Sequence, residues 1–73
     1  MDLKTAKGLK QGQEIWHKTL KNADGTARKA KVTSVKTWKT RPDEVLVNTK
    51  RGLYEYGAVD EKEIHLITNV KPK

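Results

Sequence analysis

The sequence predicts an all-β domain, a small barrel of five strands, and three observations carry that expectation. Short segments rich in Val, Ile, Thr, Trp and Tyr alternate with clusters of Gly, Asn, Asp and Pro, the pattern of strands joined by turns. One long segment changes its apolar phase halfway, as a strand does when a bulge bends it between two sheets. The 73 residues hold 25 apolar side chains, with no Phe and no Cys, enough for one thin core without disulfide staples.

Residues 1–11 are polar and Lys-rich, with Leu3, Ala6 and Leu9 as the apolar anchors. They read as a flexible or briefly helical basic arm ahead of a barrel at 12–68 and a tail at 69–73. The first strand is expected over Gln13 to Leu20, ending at the turn-forming cluster Lys21-Asn22-Ala23-Asp24-Gly25. The second runs from Ala27 to Trp38. Ala30 and Val32 are in phase there and Val35 is out by one, which places a bulge near Thr33-Ser34. Lys39 to Asp43 is expected to be a loop stopped by Pro42. Glu44 to Lys50 then alternates Val45, Val47 and Thr49 with Leu46 and Asn48, and Lys50-Arg51-Gly52 reads as a tight hairpin. Leu53 to Val59 pairs back as the fourth strand, Asp60-Glu61-Lys62-Glu63 forms a helical turn, and Ile64 to Ile67 is the last strand.

Five strands with a long first loop, a hairpin between the third and fourth and one helical turn before the fifth make an SH3-like barrel. Gly12-Gln13-Glu14-Ile15-Trp16-His17-Lys18 resembles the Gly-Asp-x-Val-Trp-Ala-Lys opening of Tudor and PWWP domains. Asp24-Gly25 followed by Ala30-Lys31-Val32-Thr33-Ser34-Val35 is similar to their second strand, and Glu63-Ile64-His65-Leu66-Ile67 to their closing strand. The resemblance covers residues 12–67 and implies the Tudor-like barrel. Methyl-reading Tudor domains carry aromatics just after the Asp-Gly turn, where this chain has Thr26-Ala27-Arg28, so their aromatic cage is not matched. Leu53-Tyr54-Glu55-Tyr56 resembles the pore segment of type II dihydrofolate reductase but lacks its Gln. Gly57-Ala58-Val59-Asp60-Glu61-Lys62 is similar to a turn in the small basic chromatin proteins of heat-loving archaea.

Sixteen Lys and Arg against nine Asp and Glu give a net charge of +7. Residues 1–42 hold eleven basic and three acidic side chains, a net of +8, while 43–73 hold five and six, a net of −1. Such asymmetry points to a polyanionic partner. With no Cys, and Val45-Leu46-Val47 as the longest apolar run, the chain is expected to be soluble and cytoplasmic, with no membrane partner.

Catalysis is not expected. Ser34 is the one serine, His17 and His65 are 48 positions apart and read as partly exposed strand residues, and no Walker-type loop follows Gly8 or Gly12. No metal, cofactor or small-molecule substrate is implied. If Ile15 and Val32 point inward, the outward set is Trp16, Lys18, Lys29, Lys31, Lys36 and Trp38, which interleaves cations with indoles. Lysines two apart on a strand are about 6.6 Å apart, and such rows neutralise phosphates while exposed indoles stack on bases.

The expected function is therefore non-catalytic binding of DNA or RNA with low sequence specificity. Lys18, Lys29, Lys31, Lys36, Lys39, Arg41, Lys50 and Arg51 would contact phosphates and Trp38 would stack. The competing class is a protein-interaction module, an SH3-like adaptor or a phage or mobile-element protein docking on an acidic surface of a host protein. Neither Trp16 nor Trp38 is assigned to core or surface by the sequence, and Tyr54 and Tyr56 are expected in the core.

Overall fold

A computed structural model of the chain describes residues 1–50 and 57–72. In chain order the elements are α1 (Leu3–Lys7), β1 (Glu14–Lys21), β2 (Ala27–Trp38), β3 (Arg41–Thr49), β4 (Ala58–Asp60), a 3₁₀ turn (Ile64–Leu66) and β5 (Ile67–Thr68). All strand pairs are antiparallel, in the order β4-β3-β2-β1-β5. The result is a curled five-stranded half-barrel, consistent with a small SH3-like barrel.

The curl comes from β2. Its register against β3 slips between Val32 and Ser34, leaving Thr33 as the extra residue. Ala30 and Val32 point inward before that bulge and Val35 after it, so one strand serves both halves of the sheet. β3 alternates as its sequence predicts, with Val45 and Val47 fully buried and Leu46 and Asn48 on the outer face. On that face Asn48 Nδ2 donates to Ser34 Oγ across the strands at 3.1 Å.

The core is aliphatic. Its largest fully buried side chains among the described residues are Ile15, Val32, Val45, Val47, Val59 and Ile67, and both indoles are only half-buried. Residues 1–11 contribute to it: Asp2 caps α1 by accepting from Thr5 N at 2.8 Å, and the helix and the turn after it bury Ala6 and Leu9. Lys7 Nζ also donates to the carbonyl of Pro42, pinning α1 to β3.

Among the described residues most strand ends lie within one residue of the sequence expectation, and two strand starts differ by more. The turn after β2 is only Lys39-Thr40, and β3 begins at Arg41, with Pro42 inside it. Trp38 pairs with Arg41 and Thr37 with Val45, so Pro42 to Glu44 lie in a register shift where a missing N–H breaks no ladder bond. Ile64 to Ile67 is not a strand either: Ile64 to Leu66 form the 3₁₀ turn and β5 starts at Ile67. Asp60 directs this by accepting from Lys62 N through its side chain and from Glu63 N through its carbonyl, each at 3.0 Å. Ile64 and Ile67, three apart, then point together into the core, as the three-residue period of a 3₁₀ turn requires.

The β3–β4 ladder closes at Thr49 and Gly57, where Thr49 N donates to Gly57 O at 2.6 Å. Gly57 has φ +65°, and a Cβ there would lie 2.7 Å from Thr49 O, so the position demands glycine. The expected hairpin at Lys50-Arg51-Gly52 beyond Lys50, and the side chains of Tyr54 and Tyr56, lie outside the described residues.

Candidate nucleic-acid interface

β1 and β2 pair with Glu14 opposite Lys31, Ile15 opposite Ala30 and Trp16 opposite Lys29. Because Ile15 and Ala30 are buried, Glu14, Trp16, Lys29 and Lys31 share the outer face. Trp16 also pairs with Thr68 of β5, so its indole lies between the two edges of this half of the sheet.

Beyond Trp16 the two strands separate. The next pair is Lys21 with Ala27, which leaves His17 to Leu20 on β1 opposite Arg28 alone. The His17 ring turns inward and is 3% exposed, not the partly exposed residue expected from sequence. Its Nδ1 accepts from Thr19 N at 3.0 Å and Leu20 N at 2.9 Å, satisfying amides in the part of β1 that has lost register with β2. Two donors on Nδ1 fix the neutral tautomer with its proton on Nε2. Burial holds the imidazole pKa below its usual value, the Arg28 charge lowers it further, and Glu63 opposes both.

The hairpin that follows is held by its own polar groups. Asn22 N donates to Thr26 O at 2.7 Å and Gly25 N to Asn22 O at 3.0 Å, with Gly25 at φ +88°, the three-residue hairpin form ending in a left-handed glycine. Asp24 Oδ1 accepts from Thr26 Oγ1 at 2.6 Å and from Thr26 N at 3.0 Å, which holds its carboxyl below the usual carboxylate range.

Between this hairpin and Lys71-Pro72 lies a groove of about 650 Å³ lined by Trp16, with Lys21, Lys29, Lys71 and Pro72 among its walls. A smaller hollow of about 230 Å³ adjoins it, shared by Glu14, Lys29, Lys31 and Lys50. Lys50 is held there by its backbone N–H, which donates to Lys31 O at 3.0 Å. Among the described residues, five lysines and one carboxylate thus border the two hollows. Glu14 sits 3.3 Å from Lys29 Nζ; among the described residues, Lys29 is the one of the five lysines with an ion-pair partner.

The sequence-predicted residues fall into separate places. Lys29, Lys31 and Lys50 come together around the two hollows. Lys18 lies beside the amino terminus, whose pKa is lowered by burial and then by the Lys18 charge, and which donates to Ile67 O at 3.0 Å. Lys36, Trp38, Lys39 and Arg41 cluster at the far end of β2, nine residues from Lys29 to Trp38 and so roughly 30 Å along the strand. There the Arg41 guanidinium covers one face of the Trp38 ring at 4.9 Å and pairs with Glu44 at 3.0 Å. Arg51 lies outside the described residues.

Sequence reasoning missed Lys21 and Lys71 and left Trp16 out of the stacking role. Lys21 was accessible to it as the last residue before the Asn-Asp-Gly turn, whereas Lys71 reaches the groove only through the β1–β5 pairing. Among the described residues no helix is long and apolar enough to cross a membrane, and no three His, Asp or Glu cluster to hold a metal. Comparison of the chain with protein-family models, curated proteins and solved structures finds no match.

Proposed function

We propose that the chain is a non-catalytic nucleic-acid-binding module of low sequence specificity, with Trp16 and the lysines around it as the contact surface. The observation that carries this reading is the half-buried indole set in a groove with Lys21, Lys29 and Lys71 on its walls and Lys31 and Lys50 around the hollow beside it, with Glu14 as the one carboxylate among the described residues that border them. Lysines at strand spacing neutralise phosphates, and an indole among them offers a face to a base. Lysine is a point charge without the fork that reads guanine, so base discrimination should be weak. The Tudor or PWWP likeness of residues 12–67 supports the barrel that carries this surface, and the lack of Cys favours a reducing, cytoplasmic setting.

Reversing Lys31 and Lys50 to Glu tests the reading, since both are exposed and their loss leaves the core intact. The salt dependence of nucleic-acid binding should weaken by about 0.7 of a slope unit for each lysine on single strands and about 0.9 on duplex DNA. A variant that keeps its nucleic-acid affinity and slope, but loses binding to an acidic protein surface, would replace this reading with the protein-interaction one.

A further inference from the structure

We infer that the preferred nucleic acid is single-stranded, with one unpaired base seated on Trp16 in the groove between the β1–β2 hairpin and Lys71-Pro72; this rests on the nucleic-acid reading above. A groove of about 650 Å³ lies within the 300–1,000 Å³ range of small-ligand sites and accommodates a base with its sugar. Duplex DNA presents base edges in its grooves and keeps the ring faces stacked, so it cannot lay a base on a recessed indole without unstacking. A single strand presents its ring faces freely.

The groove is also built before any ligand arrives. One wall is the β1–β2 hairpin, cross-linked through Asp24, Thr26 and Asn22. The space beside Trp16 exists because β1 leaves β2 after that residue, a departure held by the two amides on His17 Nδ1. A preformed concave site costs little ordering on binding. Its lysines come from three elements, Lys21 on β1, Lys29 on β2 and Lys71 after β5, so phosphates on either side of a seated base meet cations. A flexible strand can follow such a concave rim, whereas a duplex with a persistence length of about 150 base pairs spans it. Trp38 offers a poorer platform because Arg41 already lies over its ring.

The test uses the full chain carrying Trp38→Phe, which leaves Trp16 as its single indole and keeps a ring beneath Arg41. Oligothymidylate, oligouridylate and a duplex of equal length are titrated at about 50 mM salt, where phosphate contacts are strong. Quenching of Trp16 by either single strand, with affinity at least tenfold above the duplex, is the expected result. Trp16→Ala should then weaken single-strand binding by about 5- to 150-fold, the range measured for one stacked base, and leave duplex binding unchanged. Equal affinity for duplex and single strands with unchanged Trp16 emission overturns the inference while leaving the nucleic-acid reading in place. Failure of all three nucleic acids to bind overturns both. The quenching measurement decides the matter even where Trp16→Ala does not fold.

Discussion

Replacing Glu14 by Gln should tighten nucleic-acid binding and steepen its salt dependence. Glu14 and Lys29 face each other at 3.3 Å with side chains 40% and 64% exposed, so their ion pair contributes only about 0–1 kcal/mol to the fold. Its larger effect is on the surface, where it ties up one of the five lysines that border the Trp16 groove and the hollow beside it among the described residues. The wild-type chain then has four lysines for phosphates and a slope of log affinity against log salt near −2.8 on single strands, at about −0.7 per contact. Freeing Lys29 adds a fifth contact and moves the slope to about −3.5. If the two proteins agree near 1 M salt, where electrostatic contacts are screened, the variant binds about 8-fold more tightly at 50 mM and about 3-fold at 200 mM. Fluorescence anisotropy of a labelled oligonucleotide across that range reads both quantities, and a thermal melt confirms that stability has moved by less than about 1 kcal/mol. An unchanged slope in a folded variant would refute the placement of Lys29 against phosphate.

Other expectations concern the scaffold that holds this surface. The His17 imidazole takes up a proton near pH 6.5 when unfolded and at lower pH when folded, so the unfolded state binds more protons between those values. Stability is therefore full above about pH 6.5 and falls as pH drops through the lowered folded value; His17→Asn, which keeps an acceptor near Nδ1, should flatten the thermal melts between about pH 7 and 5. A steeper dependence in that variant would contradict the assignment. Gly57→Ala forces a Cβ to 2.7 Å from Thr49 O at φ +65°, and should cost about 1–3 kcal/mol, a drop of several degrees in Tm; a neutral result would show that the backbone turns differently there. Leu9→Ala should cost about 2–5 kcal/mol in urea unfolding, a large part of the about 4–11 kcal/mol available to 73 residues, whereas a loose arm would lose nothing.

Much of the fold was legible because strand periodicity is a local property. The slip from Ala30 and Val32 to Val35 marked the β2 bulge, and Val45 and Val47 marked the inward face of β3. What the sequence concealed was decided by partners distant in the chain. Leu9 and Ala6 look like isolated apolar residues in a basic arm until α1 meets the inner face of β2 and β3. His17 looks like a polar strand residue because its burial depends on two amides that leave the β1–β2 ladder. Ile64-His65-Leu66-Ile67 has the apolar, β-prone composition of a strand, yet Ile64 and Ile67 would face opposite sides of one; the Asp60 hydrogen bonds set the 3₁₀ turn that brings both into the core.

The basic surface was half legible. Lys29 and Lys31 follow from alternation on β2, but Lys50 joins them through a backbone bond to Lys31, and Lys71 arrives through the β1–β5 pairing. The sequence favoured Trp38 as the stacking residue because cations surround it along the chain. In the folded protein one of those cations, Arg41, lies on its ring, while Trp16 takes its cationic neighbours from other strands.

The central claim, that the lysines around Trp16 form a phosphate-binding surface, is tested most directly by titrating the wild-type chain with a labelled single strand at several salt concentrations. A straight line of log affinity against log salt with a slope near −3 is the result predicted by the four lysines that have no ion-pair partner among the described residues. A flat response, or no binding at about 50 mM salt, would contradict it.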